Sequence, residues 1–177
     1  MSISITESGV TFGSFAPDDV FEFEKVLTKL KFGDYVSKVE FVVRHGFGGA
    51  AVVFVEAKRS VPRQSDIYFA EVRLKMIHAL TVWFTAVCGR HEQLLNYLPD
   101  NLNKVEHLKL PLKMYLVIPE APDSMLPQLS DKFRQSLSAE QKIWAIRYSD
   151  ISVLNESRAK KQGLVGRNDD GDYRSTI

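Results

Sequence analysis

The sequence is poor in several features that would narrow its class. It has one cysteine, Cys88, so no disulfide can close within the chain. That cysteine lies in an apolar helical run and reads as a small buried hydrophobe. Neither charge is in excess: 23 Lys and Arg stand against 22 Asp and Glu, a net charge of +1. This excludes a strongly basic, tail-type nucleic-acid binder, so any nucleic-acid contact has to come from a local patch. The most apolar stretch, "IHALTVWFTAVC" from Ile77 to Cys88, falls short of the ~20 residues that cross a bilayer, and no membrane partner is expected. The chain does not open with a charged segment and an apolar core, so no signal peptide is expected. The expected location is the cytoplasm. Internal repeats and low-complexity blocks are missing as well.

What is present fits one globular domain. Hydrophobic residues make up 45% of the sequence, too many for a disordered chain. The pattern predicts a domain over residues 1–165 and a disordered tail over 166–177. "APDDVFEFEKVLTKLK" predicts a first helix, with Pro17 and two aspartates at its start and Val20, Phe23, Val26, Leu27 and Leu30 at helical spacing. "YVSKVEFVVRH" and "GAAVVFVEAKRS" predict two strands joined through "GFGG" as a hairpin. A long helix follows from near Ile67, with Val72, Met76, Leu80, Trp83 and Val87 on its inner stripe and apolar residues on nearly every side from Ile77.

"LPDNLNKVEHLKLP" reads as a polar connector, "KMYLVIP" as a strand, and "SMLPQLSDKFRQSLS" as a short amphipathic helix. "QKIWAIRYS" is expected to be a further strand and "DISVLNESRAKKQGL" a last helix. The N-terminal "SISITESGVTF" is expected to add an edge strand. The fold class is α/β, with a long helix crossing between strands that would then run parallel.

The strand "VVFVEAKRS" raises a chemical question. Glu56 and Lys58 share the face of Val52 and Phe54, because strand side chains alternate. A buried charge costs several kcal/mol unless it is paired or bound to a metal. Glu56 and Lys58 can satisfy each other, or both can reach solvent where the strand ends. The preceding strand adds Glu40, which shares parity with Val42 and Arg44. In an antiparallel hairpin Glu40 and Glu56 fall near the same open end. Two such carboxylates repel, and a divalent cation removes that repulsion. Mg²⁺ takes one or two carboxylates with water and phosphate oxygens. A lysine beside it can orient water or stabilise charge at phosphorus.

An acid on one strand and E-x-K on the next, between a glutamate-bearing helix and a long helix, resembles the PD-(D/E)XK nuclease superfamily, including its small bacterial members. The resemblance spans Pro17 to Pro119. It implies a restriction-endonuclease-like αβββαβ core, a mixed sheet flanked by helices, and hydrolysis of nucleic-acid phosphodiesters. Glu40 matches the first acid, Glu56 the second and Lys58 the lysine. The backbone carbonyl of Ala57 would be a further metal ligand, and a first-helix glutamate often joins such sites. Glu24 is the choice there, flanked by Val20 and Leu27, while Glu22 pairs with Lys25 and Lys29 in solvent. The implied cofactor is Mg²⁺, with Mn²⁺ as a substitute. The implied partner is nucleic acid, DNA ahead of RNA, with a homodimer or a partner subunit to grip a duplex. Here the first acid is glutamate after Val39, where the family usually has aspartate, and one of the first three strands is not evident. The alternative is a catalytically inactive binding or interaction module of the same fold.

Other side chains offer less. His45, His78, His91 and His107 have no metal-ligand spacing. "GFGG" lacks the lysine and the following helix of a phosphate loop. Arg59, Arg63, Arg73 and Lys75 suggest either a phosphate-facing patch or a solvated surface. "RAKK", Arg158 to Lys161, reads as a solvated helix face.

Overall fold

The segment Ala51–Ala57 is buried along its whole length, which is how a central strand covered on both faces reads in sequence. The computed structural model describes residues 1–46, 50–61 and 64–166. In chain order these form β1 (Ile3–Glu7), β2 (Val10–Phe15), β3 (Val20–Phe21), α1 (Phe23–Lys29), β4 (Phe41–His45), β5 (Ala51–Ala57) and α2 (Ser65–Val87). Then follow α3 (Glu92–Leu95), β6 (Leu112–Val117), α4 (Leu126–Ser136), α5 (Ser138–Ile143), β7 (Ile151–Leu154) and α6 (Glu156–Lys161). Short 3-10 turns lie at Pro17–Asp19, Val105–Lys109 and Tyr148–Asp150.

A five-stranded mixed sheet runs in the order β3-β4-β5-β6-β7. β3, β4 and β5 are antiparallel neighbours, whereas β5, β6 and β7 are parallel. The change of direction falls at β5, and α2 makes the crossover that a parallel β5–β6 pair requires. Alternation along β5 assigns its two faces. Val52 and Phe54 face the helices, where Phe54 meets Trp83 edge-on at 6.0 Å between centroids. Val53, Val55 and Ala57 face a second core, closed by the β1–β2 hairpin and by Ala159 and Leu164. There Phe12 and Phe15 pack on Phe41 at 5.1 and 5.5 Å. The protein is therefore a mixed α/β structure with a five-stranded sheet packed against helices.

The predicted inner stripe of the long helix is buried at all five positions. Its outer side is not, since Ile67 and Leu74 are exposed. Cys88 ends that helix as its C-cap and is exposed, because the chain turns away at Gly89 with φ +75°. The connector is anchored as well as polar: Leu98 and Leu102 are buried, and Trp83 Nε1 donates to Leu102 O at 2.9 Å.

Four expectations need correction. The first helix begins at Phe23, because Val20 and Phe21 pair with Val43 and Val42 as β3. Asp19 does not serve a helix dipole; it accepts from Asn101 Nδ2 at 2.7 Å. Consequently, among the described residues, two strands, β4 and β5, lie between α1 and α2, and the third antiparallel strand precedes α1. The N-terminal segment forms its own two-stranded sheet with β2 and does not edge the main one. "QKIWAIRYS" holds the end of α5 and a turn in which Ala145 takes φ +50°. The strand comes one element later, as "ISVL", and ends because Asn155 caps α6 by accepting from Arg158 N at 3.0 Å. The link residues 47–49, Arg63 and the predicted tail from 167 onward lie outside the described residues.

Candidate functional site

Glu56 is the fully buried acid of the central strand. Its parity directs it to the α2 face, at the carboxyl end of β5. Two lysines meet it there. Lys75 Nζ, from α2, lies 2.6 Å from Glu56 Oε1, and Lys58 Nζ lies 3.3 Å from the same oxygen. Oε2 is buried and finds no hydrogen-bond partner among the described residues. Burial raises the Glu56 carboxyl, and Lys75 and then Lys58 oppose that rise. Burial works against the Lys75 charge too, but the Glu56 carboxylate outweighs it, and Lys75 holds its proton more firmly than usual.

Glu40 stands just before β4, whose pairing with β5 starts at Phe41 and Val55, and it lies close enough for the Glu56 and Lys75 charges to act on it. Glu40 N also donates to Val55 O at 3.1 Å, which fastens Glu40 to β5 just outside β4. Burial, then the Glu56 and Glu7 carboxylates, push the Glu40 carboxyl up to about 8, and Lys75 pulls the other way. Glu24 is exposed, yet its charge acts on both Glu40 and Lys75, so it lies at the rim of the cluster. Glu22 precedes α1 at the N-cap position without a side-chain capping bond and pairs with Lys25 at 2.9 Å. Ala57 turns its methyl group to the opposite core, so only its backbone can serve the site.

Two side chains of this cluster were not assigned to it by the sequence pattern. Lys75 was grouped with Arg73, but helix positions two apart diverge by about 200°, onto nearly opposite sides. Arg73 goes instead to Glu140 on α5, as a two-bond pair with Nη2–Oε1 at 2.6 Å. A patch of Arg59, Arg73 and Lys75 is therefore not formed. Arg59 is exposed by itself. Tyr68 is the second addition. Its hydroxyl is buried without a partner among the described residues, and burial and then the Glu56 charge keep the phenol protonated. Tyr68, Val72 and Lys75 follow each other at i, i+4 and i+7, one face of α2. A lysine continuing an inner apolar stripe was the available signal.

The histidines hold structure. His78 Nδ1 accepts from Ser37 N at 2.9 Å, and His45 Nε2 bonds Gln162 O at 2.9 Å. His91 packs on Phe32, and His107 Nδ1 accepts from Lys104 N. Arg158 and Lys160 make exposed pairs with Asp123 and Glu156.

A divalent cation can be tested against this donor set. In favour, Glu56 Oε2 is an orphaned buried oxygen, and Glu40 is near enough for the two carboxyl groups to interact electrostatically. Among the described residues, however, no three acidic, histidine or cysteine side chains converge to hold a metal, so Glu24 does not complete a three-carboxylate cluster with Glu40 and Glu56. The fit is to an ion held by two carboxylates and otherwise by water and substrate oxygens, a mode Mg²⁺ uses. Among the described residues, no helix is long and apolar enough to cross a membrane. No protein-family model matches the chain, and no curated protein or solved structure matches it either.

Proposed function

We propose that this protein is a divalent-metal-dependent phosphodiesterase acting on nucleic acid, DNA ahead of RNA, built on a PD-(D/E)XK-type core. The observation that carries the reading is the fully buried Glu56, which keeps an unpartnered oxygen beside Lys58 and within electrostatic reach of Glu40. Glu40, Glu56 Oε2 and the Ala57 carbonyl would hold Mg²⁺ or Mn²⁺. When bound, the ion supplies Lewis acidity and an activated water. Lys58, about one-third exposed at its side chain, is the cation that can reach a substrate phosphate and stabilise charge in displacement. Tyr68 keeps an O–H donor beside Glu56, and Glu24 adds negative charge at the rim. β3, β4, β5, α2 and β6 supply the strands and crossover of the proposed core, with β3 placed before α1.

A second reading has its own observation. Lys75 and Lys58 already balance Glu56, as they would in a non-catalytic interaction module. Mn²⁺ titration of the full chain separates the two. Saturable binding that is lost in Glu56→Gln and weakened in Glu40→Gln supports the phosphodiesterase. No binding at millimolar Mn²⁺ supports the module. A homodimer or partner subunit, proposed for gripping a duplex, would register as a mass above one chain in light scattering.

A further inference from the structure

Glu56 keeps both lysines on one oxygen. Lys75 Nζ at 2.6 Å and Lys58 Nζ at 3.3 Å share Oε1, while Oε2 has no hydrogen-bond partner among the described residues. An ionised carboxylate has acceptor sites on both oxygens, so this one-sided arrangement leaves half of its capacity open in a fully buried residue. The two lysines reach it differently. Lys58 belongs to the end of the same strand and makes the longer contact. Lys75 crosses from α2, with the helix anchored by Val72 and Met76 on either side of it, and makes the shorter one.

We infer that Lys75 is a resident counter-cation that reserves Glu56 Oε1, so that the Glu40–Glu56 site takes a single divalent ion, on Oε2. The inference rests on the phosphodiesterase reading and names a positioning residue for it. A cation arriving at Oε1 would meet an ammonium already in hydrogen-bond contact with that oxygen. At such short range in a buried site, like charges repel strongly. The ammonium also fixes which way the carboxylate turns, because Oε1 is tied to α2. The ion therefore finds one oriented oxygen and not a freely rotating carboxylate.

The test is Mn²⁺ binding by the full chain, followed by calorimetry and by electron paramagnetic resonance of free Mn²⁺. Wild type should bind one ion. Lys75→Met, which removes the charge and keeps an apolar stem, should bind Mn²⁺ about tenfold more tightly or take up a second ion. Lys75→Gln should show the same gain, and Lys75→Arg should behave as wild type. Thermal melting gives an independent readout: Mn²⁺ should raise the melting temperature of Lys75→Met more than that of wild type. Unchanged affinity and stoichiometry in both neutral variants, an equal or smaller melting shift, or two ions in wild type would overturn the inference alone. Absence of Mn²⁺ binding by wild type and both neutral variants would overturn the phosphodiesterase reading and this inference with it.

Discussion

The Lys75 ammonium lies 2.6 Å from Oε1 of Glu56, and Glu56 has no exposed surface. The pair joins the centre of the sheet to the helix that covers it. Truncating the lysine leaves a buried carboxylate with Lys58 alone at 3.3 Å. Breaking a buried pair from one side typically costs about 3–5 kcal/mol. Lys75→Ala is expected to lose stability on that scale in urea denaturation. Glu56→Gln combined with Lys75→Met should recover part of the loss, because no uncompensated charge is then buried.

Glu40 makes stability depend on pH. Its carboxyl moves from the ordinary 4.5 up to about 8 in the folded chain, through burial and the Glu56 and Glu7 charges. Between those values the folded chain binds more protons than the unfolded one, so stability falls as pH rises. Wild type should therefore lose more stability than Glu40→Gln as pH climbs through this window. Near pH ~8.5 the variant should be the more stable by about 1–2 kcal/mol, after allowance for solvent at this half-buried group. Near pH ~4.5 the two should be close. Denaturant midpoints at both pH values check this, and a constant offset across the range would contradict it.

Gly163 sits where the chain turns after α6, with φ +74°. A methyl group there would stand 2.8 Å from His45 Nε2, the atom that bonds Gln162 O. Gly9 has φ +87° and open space around the same position. Both alanine variants bear the left-handed backbone cost of about 1 kcal/mol, but only Gly163→Ala also displaces His45. Melting temperatures should fall further for Gly163→Ala than for Gly9→Ala.

The sequence made the sheet centre legible because β5 and β6 are largely buried on both faces and leave apolar runs interrupted only by Glu56 and Lys113. The α2 stripe was legible for a related reason, since its period of 3.6 survives over a long segment. The failures share a cause as well. β3 is two residues long, too short for a period, and it is held by pairing with β4 alone. Ile143, Trp144 and Ile146 imitate a strand, yet Ile143 is exposed and α5 is fastened through Glu140 to Arg73. Within the site, Glu56 and Lys58 were legible together because strand parity gives them one face, whereas Glu40 lies just outside β4, where parity no longer fixes a direction. Lys75 and Tyr68 enter it through the way α2 docks on β5, which no local pattern records.

The central claim is metal-dependent hydrolysis at Glu40 and Glu56 with Lys58 as the assisting cation. It is tested most directly by single-turnover cleavage of labelled DNA in Mg²⁺, in Mn²⁺ and in EDTA, with wild type beside Lys58→Ala. The account predicts cleavage only with a divalent ion. Loss of Lys58 should lower the rate by about 10²–10³-fold, on the scale of removing one charge-stabilising group, while Mn²⁺ binding is retained. Equal cleavage in EDTA, or a Lys58→Ala rate equal to wild type, would contradict it.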